Sequence, residues 1–452
     1  MNMTYNLTTN KKPNRIGIIG LGYIGLPLAV AFSKNINVIG FDINTTRISE
    51  LKNGFDTTNE TSKNKLSNPR LSFTSNSNDL LKADCFIIAV PTPIDNKFAP
   101  DLSYLLAASA LVGKILKDVV TKNISEVSPL IIYESTVFPG CTEEECIPVI
   151  EKESGLRNGK NFKVGYSPER INPGDTKHTL SKVKKIISGQ DNETIMRMSA
   201  LYGTIIKAGL HVTPNIKTAE AAKLIENAQR DVNIAFMNEM ALFLQSLNIK
   251  TKDVIDAAKT KWNYLDFEPG LVGGHCIPVD PYYLNFKAES TGTRSTLIDA
   301  TRTINNNMGA YVAHKTLSML ATSESSFTPS SPEILILGAA FKGNVPDLRN
   351  SSVLKIASTL EQLDCIVSVF DPLVEKKILN DHRLPGIDNP FLDKKKYNAI
   401  IIAVSHNFFK NMPIEAYTAI LDTKIGISVL TDVKRMLNWE KDKFPDITYW
   451  TL

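Results

Sequence analysis

A glycine-rich turn placed directly after a short apolar segment most constrains how this chain can fold. Residues Arg15–Ile19 have the composition of a buried strand, and residues 20–25 follow them with the spacing GxGxxG. An apolar, helix-like segment at 26–33 and a second strand-like segment at 38–41 come next, and the latter ends at Asp42. This order of strand, glycine turn, helix, strand and acid predicts a dinucleotide-binding βαβ unit.

Each glycine of the turn has its own task in such a unit. Gly20 makes the tight turn, Gly22 lets a pyrophosphate approach the backbone, and Gly25 lets helix and strand pack closely. Asp42 would accept hydrogen bonds from ribose hydroxyls and repel a 2′-phosphate, which favours NAD over NADP, whereas Arg47 nearby keeps NADP open. The cofactor-binding residues predicted in this unit are Gly20, Gly22, Tyr23, Ile24, Gly25, Asp42 and Arg47.

Two later loops are expected beside the nicotinamide half of the same cofactor. They follow strand-like segments at 85–90 and 130–134. Ligands of an open parallel sheet bind beyond the carboxyl ends of its strands, so these loops should reach the nicotinamide and its ribose. Thr136 could equally be a helix cap, which the loop alone does not decide. The residues concerned are Pro91, Thr92, Ser135 and Thr136.

A third polar loop follows the strand-like segment at 164–166. Glu169 and Arg170 lie in it between prolines, a composition that suits a site loop better than a core segment. A further strand-like segment at 182–188 indicates that the first domain ends near residue 210.

Long helices replace this pattern after residue 210. Helices are expected over 218–247 and 298–320, because apolar residues recur there at three- and four-residue spacing. Lys223 and Asn227 share one face of the first helix, although such a pair is also common on a solvated surface. Two long helices with little sheet cannot bury both faces alone, so we predict a homodimer through this central region.

A stiff, glycine-rich loop between these helices is the expected centre of the chemistry. Adjacent glycines at 273–274 let the backbone approach a ligand, Cys276 follows them, and Asp280 lies four residues further on. Pro278 and Pro281 are expected to exclude a regular helix. A lone cysteine is more often a small buried residue than a nucleophile, so the role of Cys276 depends on the rest of the chain.

The last part of the chain repeats the strand pattern without the glycine motif. After a polar linker at 322–332, strands are expected at 333–337, 365–370, 399–404 and 426–430. Phe341, Lys342 and Arg349 replace the GxGxxG and supply an aromatic ring for stacking and two cations for phosphate. Asp371 ends the second strand, as Asp42 does in the first half. These residues predict a second site for a nucleotide that is not a dinucleotide, with a purely structural repeat as the alternative.

The predicted fold is therefore α/β, with two Rossmann-like, doubly wound parallel-sheet domains joined by a central all-helical domain. The predicted boundaries are 1–210 for the NAD-binding domain, 211–325 for the helical domain and 326–452 for the second nucleotide-binding domain. A chain of 452 residues is long enough for each domain to have its own core.

Composition argues against several other classes of function. The net charge of +4 is small for this length and predicts no nucleic-acid face. The five cysteines lack CxxC spacing, which gives no zinc site and suits a reducing compartment. The first 14 residues are polar and unlike a signal peptide, and no segment is apolar enough for a membrane span. We predict a cytoplasmic protein without a metal ion and without nucleic-acid or membrane partners.

Taken together, the motifs resemble those of the UDP-glucose/GDP-mannose dehydrogenase family over nearly the full length of the chain. Two longer stretches, Ser-Pro-Glu-Arg-Ile-Asn-Pro-Gly and Gly-Gly-His-Cys-Ile-Pro-Val-Asp-Pro, look like the bacterial branch that acts on UDP-N-acetylhexosamines (UDP-GlcNAc or UDP-GalNAc). Such enzymes make uronic acids for capsule or O-antigen. The motifs that carry the resemblance are Gly20-x-Gly22-x-x-Gly25, Ser167-Pro-Glu169-Arg170, Lys223-x-x-x-Asn227, Gly273-Gly274-x-Cys276-x-x-x-Asp280 and Phe341-Lys342.

The resemblance implies an NAD-dependent, four-electron oxidation of the sugar C6 alcohol to a carboxylate. Cys276 would form a thiohemiacetal and then a thioester, and Lys223 with Asn227 would hold the oxyanions. Asp280 would position water or act as a base, with Thr136, and Glu169 would be the base for thioester hydrolysis or would orient it. The implied substrate-binding residues are Glu169, Arg170, Lys223, Asn227, Gly273, Phe341 and Lys342, and Gly274 and Arg349 would contact the cofactor.

Other functions fit parts of the pattern. A UDP-glucose 6-dehydrogenase or a GDP-mannose 6-dehydrogenase is the alternative within the same family. A two-electron dehydrogenase of the 3-hydroxyacid or 6-phosphogluconate type shares the Rossmann domain and a Lys-x-x-x-Asn pair, but it needs neither Cys276 nor the second nucleotide domain. A non-catalytic nucleotide-sugar sensor would tolerate the loss of both Cys276 and Lys223.

Overall fold

The computed structural model describes residues 13–58, 60–122, 128–171, 175, 177–321, 331–424 and 427–452. Most of the polar leader and of the linker predicted at 322–332 lies outside these residues. The chain forms two compact units, Met1–Glu226 with Tyr282–Thr293 and Asn227–Pro281 with Arg294–Leu452. The three predicted domain boundaries remain predictions.

The first unit is built on a sheet of eight strands within the described residues. These are β1 (Arg15–Ile19), β2 (Asn37–Phe41), β3 (Leu71–Thr74), β4 (Cys85–Ile88), β5 (Leu130–Tyr133), β6 (Lys163–Tyr166), β7 (Lys185–Gly189) and β8 (Leu210–Val212). Their order is β3-β2-β1-β4-β5-β6-β7-β8, with an antiparallel pairing between β6 and β7. The first six follow the strand order of a dinucleotide-binding Rossmann sheet.

Helices cover the faces of this sheet because its strands are apolar on both sides. Residues Cys85–Ile88 and Leu130–Tyr133 are fully buried runs, as expected for parallel strands between helical layers. Asn44 and Asp191 cap two of the helices by accepting backbone N–H bonds. The helices are α1 (Gly25–Ser33), α2 (Thr45–Lys52), α3 (Lys63–Leu66), α4 (Ser103–Thr121), α5 (Ile147–Ser154) and α6 (Asn192–Tyr202).

Long helices occupy the middle of the chain, as predicted. They are α7 (Ile216–Ser246) and α10 (Thr296–Ala321), and the shorter helices α8 (Thr251–Lys259) and α9 (Asp280–Ser290) lie between them in the sequence. The expectation that Pro278 and Pro281 exclude a helix was wrong for Pro281, because α9 begins at Asp280 and a proline is tolerated in a first turn. None of the helices in the described part of the chain combines the length and apolar character that a membrane crossing requires.

The second unit contains a parallel sheet of five strands within its described residues. They are β9 (Glu333–Leu337), β10 (Ile366–Phe370), β11 (Ala399–Ile402), β12 (Ser428–Asp432) and β13 (Ile447–Trp450), in the order β10-β9-β11-β12-β13. Shorter helices follow the strands: α11 (Val353–Gln362), α12 (Lys376–Asp381), α13 (Asn407–Lys410) and α14 (Ile414–Ala419).

Helix α10 shares an apolar core with this second sheet. Met308 and Val312 of α10 are buried in one cluster with Ile356 and Leu360 of α11. A buried hydrogen bond of 2.8 Å between the hydroxyls of Thr316 and Thr431 joins α10 to β12. The predicted fold class, two Rossmann-like parallel sheets with a helical region between them in sequence, is confirmed.

Candidate functional site

The glycine turn after β1 leaves room for a ligand at one glycine and none at the other two. Gly20 has φ +93°, and a Cβ there would lie 2.7 Å from the Ala89 carbonyl oxygen. A Cβ on Gly25 would collide with the carbonyl oxygen of Gly20. A Cβ on Gly22 would meet nothing within 4 Å, so the backbone of the turn is open to a ligand at this residue.

Asp42 lies at the end of β2 and keeps hydrogen-bonding capacity for a ligand. Its Oδ2 accepts the N–H of Leu21 and its Oδ1 accepts the N–H of Asn44, both at 2.9 Å. A carboxylate offers about four lone-pair positions, so two remain for ribose hydroxyls. Tyr23 and Ile24 are half-buried in the same turn. These residues fit a bound dinucleotide.

Arg47, which the sequence placed at the cofactor, is buried and supports the turn from within. Its Nε and Nη2 donate to the Leu21 carbonyl oxygen at 3.1 Å. Its Nη2 also donates to Asp56 at 2.7 Å, and its Nη1 donates to Thr57 at 2.9 Å. Although burial opposes it, hydrogen bonds from Thr58 and Arg47 hold the pKa of Asp56 below its usual value. All three side-chain nitrogens of Arg47 thus donate hydrogen bonds to groups of the protein itself.

The loops after β4 and β5 are tied together at the residues predicted from the sequence. The Thr92 hydroxyl donates to the carbonyl oxygen of Thr136 at 2.7 Å, and the Ser135 hydroxyl donates to that of Val90 at 2.7 Å. The Tyr283 hydroxyl, from α9, donates to the Thr92 carbonyl oxygen at 2.9 Å. Pro91, at the start of the first loop, is exposed.

Glu169 belongs to a buried charged cluster that sequence reasoning missed. Its Oε1 accepts the N–H groups of Arg170 (2.7 Å) and Ile171 (2.5 Å), and its Oε2 lies 3.6 Å from Lys185 Nζ. Lys185 Nζ donates to Glu134 Oε2 at 2.5 Å and to the carbonyl oxygen of Pro168 at 3.0 Å.

The same cluster alters the acidity of Glu134. The Tyr202 hydroxyl donates to Glu134 Oε1 at 2.5 Å. Burial raises the pKa of Glu134 to about 7, although Lys185 opposes the shift. The sequence did contain a signal for this cluster: Glu134 directly follows the apolar strand β5, and Lys185 begins the apolar strand β7. Charges in such positions are costly to bury without a partner, so they indicate a buried pair. We call Glu134, Glu169, Lys185 and Tyr202 the Glu134 cluster.

Arg170 is held by an ion pair inside the first unit. Its guanidinium contacts both carboxylate oxygens of Glu226, at 2.8 and 3.2 Å, and donates to the Lys184 carbonyl oxygen at 2.7 Å. This arrangement is the planar two-point pairing that arginine forms with carboxylates.

Lys223 and Asn227 lie one turn apart on α7, and both are buried. The interpretation of this pair as a solvated surface feature is therefore wrong. Asn227 Nδ2 donates to Asp280 Oδ2 at 2.6 Å, which connects two residues predicted to share a site.

Cys276 differs from the other cysteines in its exposure. All five cysteines lie within the described residues, and Cys276 alone is partly accessible while the others are buried. Burial raises the pKa of the Cys85 thiol, which makes a nucleophilic role there unfavourable. The Cys276 carbonyl oxygen accepts the N–H of Val279 (3.0 Å) and of Asp280 (2.8 Å). The backbone of Cys276 is thus joined to the first turn of α9.

Phe341 and the double glycine pack against each other in the second unit. A Cβ on Gly273 would lie 3.0 Å from the Phe341 Cβ, and one on Gly274 would lie 2.8 Å from the Phe341 ring. Gly274 also has φ +93°. Both glycines are therefore needed for this close approach.

A cleft of about 170 Å³ opens beside Phe341 at the carboxyl ends of β9, β11 and β12. Lys342 and Lys434 give it positive charge, and Lys342 Nζ lies 5.6 Å from the Phe341 ring centre. Lys434 was missed from the sequence, although its place just after a parallel strand could have indicated it. Residues that line the cleft include Gly273, Phe341, Lys342, Ser351, Ser405 and Lys434.

Arg349 pairs with a neighbouring acid. Its Nε and Nη2 contact Asp347, with the shortest distance 2.6 Å, and its Nη2 lies 3.5 Å from His275 Nδ1. Burial opposes the shift, but Arg349 holds the pKa of Asp347 below its usual value.

Comparison with known proteins accounts for this combination of sites. Three domain profiles of the UDP-glucose/GDP-mannose dehydrogenase family match: the NAD binding domain over residues 14–206, the central domain over 217–307 and the UDP binding domain over 335–438. These matches confirm the predicted cofactor, NAD, and assign a UDP-binding role to the last domain.

Curated relatives and a solved structure agree with the domain profiles. The chain is 45% identical over 426 residues to protein CapL of Staphylococcus aureus, covering 94% of this chain and 96% of that protein. It is 45% identical over 434 residues to the UDP-N-acetyl-D-glucosamine 6-dehydrogenase of Pseudomonas aeruginosa, covering 95% and 99%. The structure of the UDP-D-ManNAc dehydrogenase of Pyrococcus horikoshii superposes with a TM-score of 0.84 at 31% identity, covering 97% and 98%. The chain therefore belongs to the UDP-glucose/GDP-mannose dehydrogenase family and is an NAD-dependent UDP-sugar dehydrogenase.

Proposed function

We propose that this enzyme oxidises C6 of UDP-N-acetylglucosamine to a carboxylate, in two steps that consume two NAD⁺. The choice of substrate rests on the 45% and 44% identity to the UDP-N-acetyl-D-glucosamine 6-dehydrogenases of Pseudomonas aeruginosa and Salmonella typhi. The UDP-N-acetyl-D-mannosamine dehydrogenase of Pyrococcus horikoshii is 35% identical. The N-acetylglucosamine sugar is therefore favoured over its mannosamine epimer.

Cys276 is the proposed nucleophile. Removal of the C6 hydroxyl proton and of a hydride from C6 leaves an aldehyde, to which the Cys276 thiolate adds to form a thiohemiacetal. Loss of a second hydride from C6 gives a thioester, and water hydrolyses it to the carboxylate and the thiol. Bound NAD⁺ supplies the hydride acceptor for both oxidations. Partial exposure of Cys276, in contrast to the buried state of the other four cysteines, supports this choice.

Asn227 and Asp280 are proposed to act together. The 2.6 Å hydrogen bond from Asn227 Nδ2 fixes one oxygen of Asp280, which leaves the carboxylate oriented to accept a proton or hold a water molecule. Lys223 is proposed to stabilise the oxyanions with Asn227, a contribution of about 2.7–4 kcal/mol for one such donor in other enzymes. Thr136 is proposed to assist Asp280.

Glu169 is proposed to orient the hydrolytic water rather than act alone as its base. One oxygen of Glu169 already accepts two backbone N–H groups, and the other faces Lys185. This carboxylate therefore has few lone pairs left to accept a proton from water.

A substrate screen tests the proposed function. NADH formation would be followed with UDP-GlcNAc, UDP-GalNAc, UDP-glucose, UDP-N-acetylmannosamine and GDP-mannose as separate substrates. We expect the highest kcat/KM with UDP-GlcNAc and two NADH for each uronic acid formed. Highest activity with UDP-glucose or GDP-mannose would contradict the substrate, and one NADH per sugar would contradict the four-electron reaction.

Asp42 should control the affinity for NAD. Asp42→Ala removes the acceptor for the ribose hydroxyls, and we expect the KM for NAD⁺ to rise about tenfold, which is about 1.4 kcal/mol. The KM for the UDP-sugar should stay within twofold. Asp84→Ala is a matched control, because Asp84 also accepts backbone N–H bonds at a strand of the same sheet. An unchanged KM for NAD⁺ in Asp42→Ala would remove this residue from the cofactor site.

We also propose a homodimer through the helical region. Phe236 and Phe243 lie seven residues apart on α7, so they share a face, and they are 54% and 55% exposed. Trp262 is 92% exposed in the same unit. Sedimentation velocity should give twice the mass of the chain for the wild type and the mass of one chain for Phe236→Glu/Phe243→Glu. A monomeric wild type at micromolar concentration would contradict the dimer.

The proposed reaction belongs in a reducing compartment, because the Cys276 thiol must stay reduced between turnovers. We therefore propose that the enzyme acts in the cytoplasm. Its product would serve as a precursor of a capsule or O-antigen polysaccharide, as the resemblance to the bacterial UDP-N-acetylhexosamine branch implies.

A further inference from the structure

The acid at the end of the second strand is used differently in the two Rossmann units. Asp42 is half-buried and accepts two N–H groups. Asp371, at the end of β10, is 3% exposed and accepts four hydrogen bonds. These come from the N–H groups of Ala339 (2.7 Å), Ala340 (3.0 Å) and Leu373 (2.9 Å), and from His406 Nε2 (3.1 Å). Three of these donors converge on Oδ2 and one binds Oδ1, so the buried Asp371 is engaged by the loops around it at both of its oxygens.

His406 links this buried acid to the loop that follows β9. It lies just after β11 and is 1% exposed. Its Nδ1 is 3.0 Å from the backbone nitrogen of Asn344. A backbone N–H can only donate, so Nδ1 must accept, and the neutral ring therefore carries its proton on Nε2. That proton points to Asp371, so both ring nitrogens are used in one defined tautomer.

The loop at 339–344 is fixed at both ends and carries the residues of the cleft. Asp371 holds its first two residues, and His406 holds its last, Asn344. Asn344 has φ +64°, and its Oδ1 accepts the N–H of Asn407 at 2.8 Å. Phe341 and Lys342 lie between these two attachments and line the cleft.

We propose that His406 is a positioning residue for the UDP part of the substrate, which it serves by bridging Asp371 to Asn344 and so holding Phe341 and Lys342 in place. The inference rests on the proposed function, because it assumes a UDP-sugar in this cleft. In this unit Asp371 holds the loop in place through hydrogen bonds, whereas Asp42 keeps acceptor positions for a ligand. The burial of Asp371 is consistent with a unit that binds UDP and not a dinucleotide.

Three substitutions separate the two hydrogen bonds of His406. His406→Asn places an amide oxygen near the position of Nδ1 and can keep the bond from Asn344. His406→Gln places an amide nitrogen near the position of Nε2 and can keep the bond to Asp371. His406→Leu keeps neither. His382→Leu is the control, because His382 is exposed and contacts a helix carbonyl oxygen.

Binding of UDP to the full-length protein tests the inference without requiring turnover. By calorimetry we expect the Kd for UDP to rise about tenfold in His406→Leu, the effect of leaving a buried N–H without a partner. His406→Asn should bind UDP more tightly than His406→Gln, because it retains the bond to Asn344. The Kd for UDP of the control variant, and the Kd for NAD⁺ of every variant, should stay within twofold of the wild-type values.

The outcomes distinguish the inference from the function on which it rests. A wild type that does not bind UDP would overturn both. Tight UDP binding by the wild type and by His406→Leu would overturn only the role of His406. Equal weakening of UDP and NAD⁺ binding in His406→Leu would indicate a general structural defect and also overturn it. If His406→Leu does not fold, equal affinities of the Asn and Gln variants would overturn the inference.

Discussion

Replacement of Cys276 by serine is expected to lower the rate of uronic acid formation by at least about a thousandfold, or about 4 kcal/mol of activation free energy. A serine hydroxyl in place of the thiolate is a poor nucleophile at neutral pH, so the aldehyde would not be converted to a covalent adduct that can lose a second hydride. The first oxidation does not need the thiol. The variant should therefore still reduce the synthetic C6 aldehyde of the substrate with NADH, which is the reverse of that step.

The measurement pairs product analysis with a cysteine control. Uronic acid would be quantified by mass spectrometry for the wild type, Cys276→Ser and Cys365→Ser. Cys365 lies in the same unit but is buried, so its substitution should leave the rate within a few-fold of the wild type. Acid release by Cys276→Ser at the wild-type rate would refute covalent catalysis.

Replacement of Lys185 by methionine should strongly destabilise the first unit. Lys185 and Glu134 are both buried, and their charged groups lie 2.5 Å apart. Removal of one partner of such a pair leaves an uncompensated charge, at a cost of about 3–5 kcal/mol. Urea denaturation at pH 8 should show this loss. The control is Lys114→Met, which removes a solvent-accessible ion pair with Glu153 whose charged atoms are 3.9 Å apart. This substitution should change the free energy of unfolding little.

The pH dependence of the stability loss in Lys185→Met should identify Glu134 as its source. Its pKa is raised from 4.5 to about 7, so the native state binds a proton more tightly than the unfolded chain does. The contribution of Glu134 to stability is then complete below pH 4.5 and is lost as the pH rises through about 7. In Lys185→Met the defect should therefore be much smaller at pH 5 than at pH 8. The double variant Lys185→Met/Glu134→Gln should recover stability at pH 8, and equal defects at both pH values would rule out this origin.

Local patterns in the sequence predicted the elements that depend on neighbouring residues. The GxGxxG spacing and Asp42 lie within one βαβ unit, so the sequence contains the whole motif. The ends of α7 and α10 were predicted to within two residues, because long helices have a strong apolar periodicity. Pro281 was misjudged because a proline is tolerated in the first turn of a helix.

Contacts between residues far apart in sequence were not predictable in this way. Lys185 meets Glu134 across 51 residues, and His406 meets Asn344 across 62. Neither contact follows from the periodicity of one element, because each depends on the order of the strands in the sheet. Arg47 was assigned to the cofactor because it is close to Asp42 in the sequence. Its ion-pair partner, Asp56, lies in a loop whose position no sequence pattern predicts.

The inward position of Arg47 also limits how the cofactor preference of this enzyme can evolve. In NADP-binding Rossmann domains an arginine near the ribose typically binds the 2′-phosphate. Here a rotation of Arg47 toward the ligand would leave buried Asp56 without its cation and the Leu21 carbonyl oxygen without its donors. We therefore expect a single substitution of Asp42 to weaken NAD binding without creating an NADP enzyme. We expect a change of cofactor to require a newly introduced cation as well, so that a chain carrying only the Asp42 substitution would be a less active intermediate.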